Sequence, residues 1–467
     1  MGGVFGCTAK DNCVMDLFYG TDYQSHLGTR RGGMAVWNST GIKRKIHNLE
    51  SSYFRTKFEA DLVDLHGSAG IGVISDHEDQ PILMRSHLGT FGLVTVSKIT
   101  NIEKLAESAL KHKQHFSELS PIGINPTELV AMLICEQDSF EAGIAYAQEL
   151  IKGSCTMLVL SRNGIYAARD KLGRTPIIIG KKEGALAVST ETCAFPNLGY
   201  SVERDIGPGE IVRLTAEGYE QLKPPGDRMQ VCSFLWVYYG YPASAYEGIN
   251  VECVRYRCGK ALAANDDVDI DFVAGIPDSG IGHAVGYANG KGVSYKRPYV
   301  KYTPTWPRSF MPQNQAMRDL VARMKLIPIA DLIRDKRILF CEDSIVRGTQ
   351  LQDNVELLFN IGAREVHMRA ACPVLIYPCE FLNFSQSRST LDLAGRKAIR
   401  EIEGREDVDL KRYAATGTGA YNDMVEHIRT RLKLTTLKFQ AMNDLVQAIG
   451  LPKEKLCTHC WDGSSYF

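Results

Sequence analysis

The 467-residue chain has no excess of charge of either sign: Lys and Arg total 54, and so do Asp and Glu. Such a balance gives no electrostatic footprint for nucleic acid or an anionic membrane, and neither is expected as a partner. No apolar run approaches the roughly 20 residues that cross a bilayer. The first residues carry no basic stretch leading into an apolar core, so a secretory signal is not expected. The opening Met-Gly pair has Gly6 where myristoylation asks for Ser or Thr. Long-period repeats and low-complexity tracts are missing too. These absences leave a cytoplasmic globular chain, too long for one ordinary core and expected to form two domains.

Hydrophobic residues make up 44% of the chain, enough to fill such cores. Its thirteen cysteines are not a disulfide framework in a cytoplasmic protein. Most are isolated and read as small buried hydrophobes. Only Cys457 and Cys460 form a C-x-x-C pair, which suits a redox dithiol, half a zinc site or part of an iron–sulfur site.

Residues 1–215 read as mostly β. Ile71-Gly72-Val73-Ile74, Cys155-Thr156-Met157-Leu158-Val159-Leu160 and Pro176-Ile177-Ile178-Ile179 are short runs set off by Gly, Asn and Asp. Helical patterns fall near 103–117 and 127–152, the second with Leu129, Leu133, Phe140, Ile144 and Ala147 on one stripe. This is an α+β, layered αββα pattern. The turn-rich run Lys223-Pro224-Pro225-Gly226-Asp227 then marks a boundary. Beyond it strands and helices alternate. Phe272-Val273-Ala274, Arg337-Ile338-Leu339-Phe340-Cys341 and Val366-His367-Met368-Arg369-Ala370 are strands. Helices are predicted over 281–290 and from 350, with Leu351, Val355 and Leu358 on one face and Gly362 as C-terminal cap. That rhythm predicts a parallel sheet with helices on both faces. Residues 380–456 read as largely helical.

In an open parallel sheet, ligands sit beyond the carboxyl ends of the strands. The loop at 342–349 has that position. Its backbone N–H groups, opening a helix, can cradle a phosphate, aided by the hydroxyls of Ser344 and Thr349 and the close approach that Gly348 allows. Glu342 and Asp343 repel a phosphate, but suit sugar hydroxyls or a divalent cation that itself holds a pyrophosphate. Asp343, at a strand end, is expected to face solvent and ligand. The bland alternative is an acidic turn capping a helix.

Glu342-Asp343-Ser344-Ile345-Val346-Arg347-Gly348-Thr349 closely resembles the PRPP loop of amidophosphoribosyltransferases, in which Asp usually replaces Glu342. Gly275-Ile276-Pro277-Asp278-Ser279 is similar to that family's pyrophosphate loop. The resemblance implies PRPP binding by Asp278, Ser279, Glu342, Asp343, Ser344, Val346, Arg347, Gly348 and Thr349, with Ser279, Glu342 and Asp343 on magnesium. Lys301, Arg308-Ser309-Phe310-Met311-Pro312, Gln315 and Arg323-Met324-Lys325-Leu326 look like the mobile catalytic loop, with Lys301, Arg308 and Lys325 as catalytic cations. Tyr302-Thr303-Pro304-Thr305-Trp306-Pro307 departs from the family's wording. Cys232, Cys379, Cys457 and Cys460 match the dispersed ligands of a structural 4Fe-4S cluster in some members; zinc also suits four thiolates.

The resemblance extends to the first domain through Gly3-Val4-Phe5-Gly6, Asp170-Lys171-Leu172-Gly173-Arg174-Thr175-Pro176, Ser189-Thr190-Glu191-Thr192-Cys193-Ala194-Phe195 and Ile206-Gly207-Pro208-Gly209-Glu210. The family places a nucleophilic cysteine directly before that Gly-Val-Phe-Gly, and here Gly2 stands there. Its His-Arg-Gly becomes His26-Leu27-Gly28. The glutamine-clamping arginine is replaced around Val73-Ile74-Ser75-Asp76, and the Asn-Gly oxyanion pair is missing at Val94-Thr95-Val96-Ser97-Lys98. Pro126 replaces an Asp. Losing one oxyanion donor costs about 10²–10³ in rate, and here nucleophile and clamp are gone too.

The implied fold is an α+β N-terminal-nucleophile-hydrolase-like layered (αββα) domain over 1–222. An α/β type I phosphoribosyltransferase domain follows over 228–380, then a helical, cysteine-bearing segment over 381–467. The implied activity is formation of 5-phosphoribosylamine from PRPP, the first step of purine biosynthesis, driven by ammonia rather than glutamine. The alternatives are a PRPP- or nucleotide-sensing paralogue that regulates a partner, and a base-salvage phosphoribosyltransferase. Expected partners are PRPP, ammonia or another amine, purine nucleotides, a separate glutaminase and further copies of the chain. The expected cofactors are magnesium and a 4Fe-4S cluster.

Overall fold

The computed structural model describes residues 2–120, 123–264, 266–302, 326–382 and 390–466. Two antiparallel sheets stack in the first half. The seven-stranded sheet runs Ser201–Asp205, Ile178–Lys182, Ala185–Ser189, Gly3–Ala9, Ala69–Ser75, Arg31–Asn38, Gly41–Asn48. The six-stranded sheet runs Tyr219–Lys223, Ile211–Leu214, Gly164–Ala168, Gly153–Ser161, Gly89–Ile99, Ile82–Ser86. Alternation along Gly153–Ser161 explains the layering. Leu158 and Leu160 enter the core shared with Val4, Phe5 and Val188, whereas Met157 and Val159 pack with Leu129, Leu133, Ile144 and Ala147 of the outer helices. The order is helix, sheet, sheet, helix, as the sequence pattern implied.

The stripe over 127–152 belongs to two helices, Pro126–Ile134 and Phe140–Leu150. Each has its own cap: Asn125 accepts from the Thr127 and Glu128 N–H groups, and Ser139 from that of Ala142. Ser139 is the stop-and-start signal that periodicity alone passes over.

The second half is built on a parallel sheet ordered Phe272–Gly275, Arg337–Glu342, Glu365–Ala370, Thr436–Phe439. Its two faces feed different cores. Val273, Leu339 and Cys341 pack with Val254, Cys258, Ala284 and Tyr287, from the helices Val251–Ala264 and Ile281–Lys291. Phe272, Ala274, Ile338 and Phe340 pack with Val355, Leu358, Ala398, Met424 and Ile428. Helices therefore cover both faces. The C-terminal segment is largely helical, as expected, but it also contributes one strand to the sheet. Thr436–Phe439 is a sheet strand, short enough to be lost between the helices Gly419–Arg431 and Met442–Ile449.

A buried ion pair ties this sheet to its covering helices. Arg369, from the third strand, grips Asp266 with Nε and Nη2, and Tyr287 donates to the same carboxylate at 2.7 Å. Among the described residues no helix is long and apolar enough to cross a membrane.

Candidate active site

Adjacent parallel strands end side by side, so the loops after Gly275 and Glu342 must abut. The Ile276 N–H donates to the Cys341 carbonyl at 3.0 Å, and a Cβ on Gly280 would lie 2.2 Å from that same oxygen. Only glycine permits this approach. The Ser279 hydroxyl donates to Glu342 Oε1 at 3.0 Å, joining the two loops. The extra methylene of Glu342, relative to Asp, lengthens the reach toward that hydroxyl. Burial, followed by the neighbouring Asp343, holds the Glu342 carboxyl well above the usual carboxylate range.

Asp343 is only 5% exposed, so the expectation that it faces solvent does not hold. It accepts the Ser344 hydroxyl at 2.6 Å and lies within electrostatic reach of Arg255 and His283. Burial and then Arg255 push the His283 imidazole down to about 4, so it is neutral, with Nε2 3.1 Å from the Val237 carbonyl. Arg255 is pinned by the carbonyls of Trp236, Tyr238 and Gly240 at 2.9–3.2 Å. Sequence reasoning missed Arg255 and His283 because they sit inside helices without a motif.

Gly348 adopts the left-handed conformation, φ 80°, and starts the helix Thr349–Ile361. Arg347 is exposed and pairs with Asp392 at 3.5 Å, while the Val346 carbonyl accepts from the Ala394 N–H at 2.7 Å. Thr349 is placed by its backbone at the first turn. Lys301 forms an ion pair with Asp278, and its strand Tyr299–Lys301 pairs with Leu326–Pro328. Arg308 and Lys325 lie outside the described residues.

In the first domain, Gly2 is buried beside Ile74. A Cβ at Gly2 would lie 2.6 Å from the Ile74 carbonyl oxygen, and one at Gly3 would lie 2.7 Å from Leu27 Cδ1. Leu27 itself is 3% exposed. Asp76 accepts the Thr29 N–H at 2.7 Å and so ties down the chain just after His26-Leu27-Gly28. Around Thr95 the polar groups satisfy one another: its N–H and carbonyl pair with the Gln80 amide at 2.7 and 3.2 Å, and its hydroxyl meets that of Thr127 at 2.7 Å. Glu78 is buried in this network and raised to about 7 by that burial, even though Thr127 and Gln80 donate to it.

Glu191, which carried no assigned role in the sequence, joins the two halves. It is 1% exposed and takes His26 Nε2 at 3.0 Å, the Tyr246 hydroxyl, the Ser244 hydroxyl at 3.0 Å and the Tyr241 N–H. Burial favours its neutral form, but His26 and the hydroxyls hold its carboxyl below the usual range.

The four expected cysteines come from three segments that meet. Val231–Cys232 pairs in parallel with Leu456–Cys457, placing Cys232 opposite Cys457. The Ile376 and Tyr377 N–H groups donate to the Cys460 carbonyl at 3.0 and 3.1 Å. The Cys460 thiol donates to Cys379, which lowers Cys379 to about 6 and makes it the thiolate of the pair. The Leu382 N–H reaches the Cys379 sulfur at 3.3 Å, and backbone N–H groups of Phe234 and His459 face the sulfurs of Cys232 and Cys457. Cys460 feels the charges of the other three. Among the described residues no three ligand-type side chains converge on one point as a single metal ion requires. Donor chemistry nonetheless fits a thiolate-bound group: four sulfurs, three of them facing backbone N–H donors.

Residues 66–197 match a family described as the glutamine amidotransferase domain. The chain is 31% identical to an amidophosphoribosyltransferase of Synechocystis, over 88% of this chain and 85% of that one. It is 28% identical to the Methanocaldococcus jannaschii amidophosphoribosyltransferase, over 99% and 97% of the two chains. The solved glutamine PRPP amidotransferase of Bacillus subtilis, complexed with ADP and GMP, superposes with a TM-score of 0.84 at 26% identity, covering 99% of this chain and 97% of that one. Two stacked antiparallel sheets followed by a parallel sheet whose strand-end loops abut, and relatives matched over nearly the whole length, place this chain in the amidophosphoribosyltransferase family.

Proposed function

We propose that the chain forms 5-phosphoribosylamine from PRPP and ammonia, the first step of purine biosynthesis, and does not hydrolyse glutamine. The observation that carries this reading is the contrast between two positions. Ser279 and Glu342 meet across the pyrophosphate and PRPP loops, whereas position 2 has neither a nucleophile nor room for a side chain.

In this reading the backbone of 344–349 holds the 5-phosphate, with Val346, Arg347, Gly348 and Thr349 shaping the cradle. Asp343 and Glu342 hold the ribose hydroxyls and, with Ser279, the magnesium that arrives with PRPP. Magnesium supplies charge neutralisation for the departing pyrophosphate. Asp278 and Ser279 orient that pyrophosphate, and Lys301, Arg308 and Lys325 clamp it. Lys301 must leave Asp278 to do so, and both are exposed enough for the exchange. Holding the anomeric carbon in line with ammonia turns a bimolecular step into an effectively unimolecular one.

Ammonia then comes from solvent or from a separate glutaminase, and purine nucleotides and further copies of the chain remain the expected partners. Residues 1–222 act as a glutaminase-like scaffold, 228–380 as the transferase and 381–467 as the segment that carries the cysteine ligands. Cys232, Cys379, Cys457 and Cys460 hold a 4Fe-4S cluster, which supplies a structural cross-link between these parts.

The deciding assay is PRPP-dependent pyrophosphate release with glutamine, with ammonium and with neither. Release with ammonium alone is expected. Glutamate production from glutamine above a no-enzyme control overturns the reading, and PRPP binding without release under any condition replaces it with a sensor.

A further inference from the structure

Two cations of the glutaminase-like half stand against the four-thiol site. Lys98 is the penultimate residue of the long strand Gly89–Ile99, and its ammonium donates to the Cys379 carbonyl at 2.5 Å. Among the described residues it has no carboxylate partner within 4.0 Å, and the Cys379 sulfur lies within its electrostatic reach. Arg174 is fully buried. Its guanidinium lies 3.6 Å above the Phe381 ring, donates to Gln230 Oε1 at 2.9 Å and hydrogen-bonds the Cys457 thiol.

Lys98 is half-buried and Arg174 fully buried, and a cation withdrawn from water is costly to the degree that no negative charge faces it. A cluster bound by four thiolates has that charge, because the thiolates outweigh its iron–sulfide core. We propose that Lys98 and Arg174 are the electrostatic counterpart of the four-thiol site, and that their charges set how readily its cluster is reduced and how firmly it is kept. The glutaminase-like half thereby keeps a role that requires no glutamine chemistry. It supplies two positioning residues that touch the ligand-bearing segments of the other half.

The proposal rests on the cluster assignment, and the experiment separates the two. Anaerobically purified wild-type protein is assayed for iron, then titrated reductively with mediators while the reduced cluster is followed by electron paramagnetic resonance. Wild-type protein without iron overturns the cluster assignment itself. With iron present, Lys98→Gln keeps a hydrogen-bond donor and removes the charge, while Lys98→Arg keeps both. At the potential where the wild-type cluster is half reduced, Lys98→Gln should show a reduced-to-oxidised ratio roughly tenfold lower, with Lys98→Arg near wild type. Loss of iron from Lys98→Gln but not from Lys98→Arg also supports the charge role. If both variants keep iron and titrate like wild type, or both lose it, the lysine serves only geometry and the proposal fails.

Discussion

The carbonyl oxygen of Ile74 occupies the space that a side chain at Gly2 would need, 2.6 Å from the position of its Cβ. The antiparallel register Gly3↔Ile74 fixes that oxygen in a ladder. The obstruction is therefore backbone, which moves less readily than a side chain.

Gly2→Cys should consequently not restore glutamine hydrolysis, and it should lower stability by about 1–3 kcal/mol, as overpacking does. Thermal melting beside a glutaminase assay checks both. A variant that melts like wild type and releases glutamate would show that the site is intact apart from one residue.

Asp343 is buried within electrostatic reach of Arg255, so its loss has two consequences. Asp343→Ala should weaken binding of magnesium-PRPP about tenfold to a hundredfold, since each charge-assisted hydrogen bond contributes roughly 1.5–3 kcal/mol. It should also lower the melting temperature, because Arg255 loses a facing carboxylate. Asp343→Asn separates the effects by filling the same space: it should melt nearer to wild type and still bind PRPP weakly. Undiminished PRPP affinity in Asp343→Asn, by calorimetric titration, would leave Asp343 a merely structural residue.

How far the sequence could be read depends on the range over which each feature is determined. The position of the loop at 342–349 between a strand and a helix was legible because eight consecutive residues lie between two clear local patterns. The layered pattern of the first half followed from short apolar runs, such as 155–160, interspersed with helical patterns. The burial of Asp343 was not legible, because Arg255 and His283 reach it from helices far away in sequence. Glu191 was quoted as part of a matching run, yet its role depends on Tyr246 and Ser244, more than 50 residues on. Thr436–Phe439 was missed because four residues between helices carry too little period to register as a strand.

Anaerobically purified protein should be brown and contain about four irons per chain, as a 4Fe-4S cluster requires. Cys379→Ser should release the iron and loosen the C-terminal segment, seen as faster proteolysis there, because Cys379 is one of the four proposed ligands and lies between the transferase sheet and that segment. Cys372, seven residues earlier, is fully buried beside Trp461, and Cys372→Ala should leave the iron in place. Stoichiometric zinc in place of iron would retain the four ligands and reject the cluster.

Glu78 gives the chain a pH dependence of defined sign. Burial raises its carboxyl to about 7 in the native protein, whereas the unfolded chain titrates near the ordinary value of about 4.3. Between those values the native state holds a proton that the unfolded state has released. This contribution to stability is fully present below about pH 4, is lost as pH rises toward 7 and then levels off. Glu78→Gln removes the titration and keeps an acceptor for the Gln80 amide and the Thr127 hydroxyl, which donate to Glu78 Oε1 at 2.6 and 3.3 Å. The variant should be more stable than wild type near pH 8 by about 2–3 kcal/mol, with the difference fading toward about pH 4. Paired thermal or urea denaturation at several pH values measures it. A difference that does not change with pH would place the Glu78 titration in the ordinary carboxylate range, and a variant weaker than wild type near pH 8 would mean that the native network is built around the ionised carboxylate.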